Sequence, residues 1–63
     1  MTKFSFAFRT PFTKEKVIIE STDYRSARKQ FAEQVVNKRL PIKVFIDYVW
    51  ILDENDNYIE RVK

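Results

Sequence analysis

Phenylalanine occupies every second position from residue 4 to residue 8, with Lys3, Ser5, Ala7 and Arg9 in the alternate places. Successive side chains of an extended chain point to opposite sides, so this spacing puts three large rings on one face of a strand. Those rings must be covered, and that need constrains everything after them. "PFTKEK" follows as a polar break in which Pro11 cannot donate to a ladder. Val17–Glu20 ("VIIE") then reads as a short β-branched strand. Two strands this close form an antiparallel hairpin.

The period then changes. From Tyr24 onward the apolar residues Tyr24, Ala27, Phe31 and Val35 recur at helical spacing and share one stripe. Asp23 stands just before them as the expected N-cap. Pro41 disfavours helical geometry in the residue before it, which ends the helix near Arg39 or Leu40. Lys38 and Arg39 suit the negative end of the helix dipole.

After Pro41 the pattern is extended again as far as Asp53. Ile42, Val44, Ile46, Tyr48, Trp50 and Leu52 fall on one side, and Lys43, Phe45, Asp47, Val49, Ile51 and Asp53 on the other. The even set is the more uniformly apolar and is therefore expected beneath the helix. The odd set is expected on the open back of the sheet, where Phe45, Val49, Ile51 and Ile18 form a candidate protein-binding face. A turn at residues 54–57 and a last strand from Tyr58 complete a ββαββ plan. The expected fold is α+β: a single domain of residues 1–63 with a four-stranded antiparallel-type sheet in the order 2-1-3-4 and one helix on one face. The plan resembles that of small phage-encoded proteins that bind host enzymes. It recurs in many unrelated domains, so it implies no role for any residue.

The chemistry is narrow. The chain has no histidine, no cysteine and no glycine. The commonest general base, the strongest nucleophile and the glycine-rich phosphate loop are all missing, so no enzyme and no cofactor is expected. In "DENDNYIE", Asp53, Asn55 and Asn57 alternate as the first ligands of a calcium loop do. Tyr58, however, holds the position that needs glycine, and the closing glutamate is missing. The segment is expected to be a hairpin turn and not a metal site, because Asn and Asp tolerate positive φ. Asp47, inside an apolar strand, is expected on the exposed sheet face, paired with a cross-strand Lys or Arg such as Arg9.

Lys and Arg exceed Asp and Glu by three. Arg25, Arg28, Lys29 and Arg39 gather on one flank of the helix, a candidate nucleic-acid surface. The phenylalanine triplet is expected to be core and not a base-stacking platform. No apolar run approaches the roughly 20 residues of a membrane span, so a cytoplasmic domain is expected. The function expected is a non-enzymatic protein–protein interaction module that regulates or inhibits a larger protein. Its partner is another protein or, as a homodimer, a second copy of the chain. Nucleic-acid binding through the helix flank is the alternative.

Overall fold

A computed structural model describes residues 1–63 and places the elements in the order strand, strand, helix, strand, strand. β1 (Thr2–Arg9), β2 (Lys14–Ser21), β3 (Phe45–Leu52) and β4 (Tyr58–Arg61) form one sheet in the order β2-β1-β3-β4. Every neighbouring pair is antiparallel. The helix begins as α1 (Tyr24–Phe31), widens into a π-helical segment (Ala32–Val36) and closes with one α turn (Asn37–Arg39). The fold is the α+β arrangement that the alternation of periods implies.

Local chemistry sets the ends of these elements. Asp23 caps the helix as expected, its carboxylate accepting from the Ser26 amide at 2.8 Å. That amide also holds the Asp23 carboxyl below its ordinary pKa. β2 starts three residues earlier than its apolar stretch, because Lys14 to Ser21 pair with β1 along its whole length. Without glycine, the β1–β2 turn is built from hydroxyls: Thr10 Oγ1 accepts from the amides of Phe12 and Thr13 at 3.1 and 3.0 Å. The β3–β4 turn uses a carboxylate in the same way. Asp53 Oδ1 accepts from the amides of Asn55 and Asn57 at 2.8 and 2.9 Å, and Asp56 takes the positive φ of 64°. The segment is a turn, and its leading carboxylate is occupied in holding it.

The core lies between the helix and one face of the sheet. Phe4, Phe6 and Phe8 are buried there with Ile19, Ala27, Phe31 and Val35. Phe31 stacks on Phe6 at 4.7 Å between centroids, nearly parallel, and meets Phe8 edge-on at 5.3 Å. The helical stripe is therefore the expected one. Tyr24 packs beside Phe4 and Phe6, and its hydroxyl is buried without a hydrogen-bond partner.

β3 departs from expectation. Residues directly opposite one another in a sheet share a face. Val49 lies opposite Phe6 and Ile51 opposite Phe4, so both point under the helix. Val49 is fully buried in the core and Ile51 packs against it. Tyr48, Trp50 and Leu52, opposite Ala7, Ser5 and Lys3, point away. Between Ala7 and Phe8 the register slips by one residue, leaving Asp47 as the extra member of β3. Below this bulge the faces exchange: Ile46 returns to the helix side, opposite Phe8, and Phe45 to the open side, opposite Arg9. Of the four residues expected on the open back, Ile18 and Phe45 are there. Val49 is core, and Ile51 is partly buried against it on the helix side.

One ion pair ties the helix end to the hairpin. Both terminal guanidinium nitrogens of Arg39 reach the carboxylate of Glu15, Nη2 donating to Oε1 at 2.8 Å, and the guanidinium lies 5.3 Å from the Phe8 ring centre. Arg39, with help from Thr13, holds the Glu15 carboxyl at about 2 against an ordinary 4.5. Arg39 is therefore structural and is lost to the proposed helix flank. Because the folded pKa is depressed, this contribution is complete above pH 4.5 and drains away as the pH falls toward 2.

Thermal and denaturant unfolding test these assignments. Thermal unfolding between pH 2 and 5 should show a falling midpoint for the native chain. Glu15→Gln should begin with a lower midpoint at pH 7 and fall less steeply with acid; an unchanged profile would show that the pair contributes nothing. In denaturant titration at pH 7, Phe6→Ala should cost about 3–5 kcal/mol. That is comparable with the entire stability of a domain whose share is about 0.05–0.15 kcal/mol per residue. Val49→Lys should not fold at all, since it buries an unpaired charge. Ile18→Ser, on the open face, should change stability by only about 0.5 kcal/mol. A folded Val49→Lys would show that the faces of β3 are assigned the wrong way round.

Candidate binding surface

The sheet face turned away from the helix can be read as rows across the strands. One row carries Ile18, Ser5, Trp50 and Arg61, and the next Lys16, Ala7 and Tyr48. A third carries Glu20, Lys3, Leu52 and Tyr58, and the last Lys14, Arg9 and Phe45. β1 contributes the small residues of the two middle rows, Ser5 and Ala7. Both are buried, small residues flanked on this face by the larger side chains of Ile18, Trp50, Lys16 and Tyr48.

Those neighbours are aromatic and basic. Trp50 and Tyr58 sit 5.3 Å apart, ring centre to ring centre, tilted by 31°. Lys16, from the far edge of the sheet, donates to the Tyr58 hydroxyl at 3.2 Å, the two side chains leaning toward each other across the sheet. Its ammonium lies 5.6 Å from the centre of the same ring. This contact raises the Lys16 pKa and lowers that of Tyr58. From the opposite edge the Arg61 guanidinium lies 5.7 Å from the Tyr48 ring centre. Cations over ring faces at such distances are attracted by the ring quadrupole. The result is a strip of three rings bracketed by two cations.

The remaining charges are arranged differently. Arg9 pairs with Asp47 at 3.3 Å, as the sequence suggests, and Lys3 with Asp56 at 2.9 Å. Asp56 holds Lys3 above its ordinary pKa. Lys14, Lys16 and Arg61 have no Asp or Glu carboxylate within 4 Å, and Arg61 Nε donates to the Lys63 main-chain oxygen at 2.9 Å. Two largely self-neutralised ends thus flank a positive centre.

The apolar members are Ile18, Phe45 and Tyr58, each close to half exposed (48, 46 and 46 %). β4 pairs only with Trp50, Ile51 and Leu52 of β3, while the chain beyond it bonds to Val49. The outer edge of Phe45–Tyr48 therefore has no strand beside it. The Asp47 bulge breaks the regularity of that edge, a common way to discourage strand addition.

Concave sites are slight. An open depression of about 440 Å³ lies among Met1, Lys3, Ile51 and Glu54, and a smaller one surrounds Pro11 and Phe12 at the β1–β2 turn. No three acidic side chains come close enough to hold a metal ion. On the helix, Arg25, Arg28 and Lys29 are exposed and free of carboxylates. Arg28 rests 5.9 Å from the Tyr24 ring centre. These three face away from the aromatic strip, and no helix in the chain is long and apolar enough to cross a membrane.

Alternation alone misses Tyr48, Trp50, Tyr58, Lys16 and Arg61 as surface residues. A signal was nevertheless present. Tyr and Trp carry a polar handle that suits a half-wet face, whereas Val49 and Ile51 carry none and lose nothing by full burial. Comparison of the chain with protein-family models, with curated proteins and with solved structures finds no match.

Proposed function

We propose that this chain is a non-enzymatic interaction module that docks a protein partner on the open face of its sheet, as a small regulator of a larger protein would. The observation that carries this reading is the cluster of Tyr48, Trp50 and Tyr58 on a face that no element of the chain covers. Tyr, Trp and Arg are the residues most enriched where binding energy concentrates in protein interfaces. Ile18 and Phe45 extend that apolar area to either side. With neither histidine nor cysteine in the sequence, the surface offers rings, hydroxyls and cations, which are means of holding a partner.

A second copy of the chain is a poorer occupant than a different protein. Two such faces brought together would set the unpaired cations of each against those of the other. Nucleic acid remains the second reading, favoured by the exposed, unpaired Arg25, Arg28 and Lys29 on the helix. It has lost Arg39 to the Glu15 pair.

The test is affinity capture from nuclease-treated lysate of the native host, comparing the native chain with the Phe45→Ser, Trp50→Ala double variant. A protein held by the native chain should lose about 30-fold or more in affinity for the variant, the scale of a single interface hot spot. The variant must first show an intact fold by circular dichroism. Equal capture by both chains would remove the open face from the function. Capture that disappears with nuclease alone would favour nucleic acid.

A further inference from the structure

Resting on that reading, we infer that the partner presents an acidic segment, with carboxylates that pair with Lys16 and Arg61 on either side of an apolar side chain seated on the Trp50–Tyr58 rings. Three features point to this chemistry. First, the charge of the face is unevenly satisfied. Lys3 and Arg9 already hold acidic side chains, whereas neither cation beside the rings does: Lys16 touches a phenol and a ring face, and Arg61 donates from Nε to the main-chain oxygen of Lys63 and lies over a ring. A ring face or a neutral acceptor is a weaker partner for an ammonium or guanidinium than a carboxylate, so both cations gain by exchanging one for the other.

Second, the placement is symmetrical about the rings. Lys16 stands on β2 and Arg61 on β4, the two outer strands, and each leans inward over the aromatic strip. Neighbouring strands lie about 4.8 Å apart, so the two backbones are separated by roughly 14 Å across the sheet. Both charged heads lie inside that span, the ammonium at the Tyr58 hydroxyl and the guanidinium over the Tyr48 ring, so an extended acidic segment crossing the rings meets both. Third, the rings suit a side chain better than a base. Stacking requires a free ring face, and Tyr58 and Tyr48 each already have a cation over one face while Trp50 leans on Tyr58.

The experiment uses the full chain and fluorescein-labelled probes followed by anisotropy. The probes are a nine-residue peptide alternating glutamate with leucine, the same peptide with glutamine for glutamate, and a nine-nucleotide oligothymidylate. The glutamate peptide should bind, lose affinity as salt rises, and exceed both other probes. The double variant Lys16→Gln, Arg61→Gln should weaken it by about 2- to 30-fold, the sum expected of two partly exposed ion pairs. The triple variant Arg25→Gln, Arg28→Gln, Lys29→Gln should leave it unchanged. Thermal midpoints of both variants, measured alongside, separate lost contacts from lost fold. Equal binding of the glutamine peptide overturns the acidic-segment inference while leaving an apolar docking face intact. Tighter binding of oligothymidylate, or loss of binding in the helix variant alone, overturns both. Failure of the glutamate peptide to bind at all overturns the inference.

Discussion

The stack of Phe6 on Phe31 is the contact on which the rest of the structure depends. β1 is central in the sheet, paired on one side with β2 and on the other with β3. Whatever fixes β1 against the helix therefore fixes both halves of the sheet. Phe6 and Phe31 are essentially without exposed surface, and their rings are nearly parallel at 4.7 Å. Phe4 and Phe8 extend the contact along the strand, with Tyr24 beside one and Phe31 against the edge of the other. A chain of this length buries only about 60% of its unfolded surface, so its core must come from a few large side chains. Four rings between one helix and one strand supply it.

That contact also decides which face remains open. Once Phe4, Phe6 and Phe8 point to the helix, antiparallel pairing places Val49 and Ile51 beside them and turns Trp50, Tyr48 and Leu52 outward. Ser5 and Ala7, on the far side of β1, are small enough for Lys16 and Tyr58 to meet above them. Larger residues in those two places would hold the cation and the rings apart. The alternation of phenylalanine with small residues in β1 therefore shapes both faces: the rings make the core, and the small residues make the floor of the binding surface.

The parts legible in the sequence are those governed by strong local rules. The period-two run at Phe4–Phe8, the stripe Tyr24–Ala27–Phe31–Val35 and the cap Asp23 each have one physical interpretation, and the strand order follows from their succession. The face of β3 was not legible, because both of its sides are apolar and alternation cannot rank them. Even a correct ranking at Val49 would have failed at Phe45, since the bulge at Asp47 exchanges the faces between them. The π-helical segment at Ala32–Val36 was equally hidden, with no proline or glycine there to signal it. The Arg39–Glu15 pair joins residues far apart in the chain, and no periodicity reports it.

Trp50 is the only tryptophan in the chain and lies at the centre of the open face, so it reports directly on whether that face binds. The decisive measurement is acrylamide quenching of its fluorescence, first in the free chain and then in complex with the captured partner. Partial quenching in the free chain, as suits a half-buried ring, and protection in the complex are the predicted results. A Trp50 wholly inaccessible in the free chain would mean that the sheet faces are reversed. Equal quenching before and after binding would mean that the partner docks elsewhere.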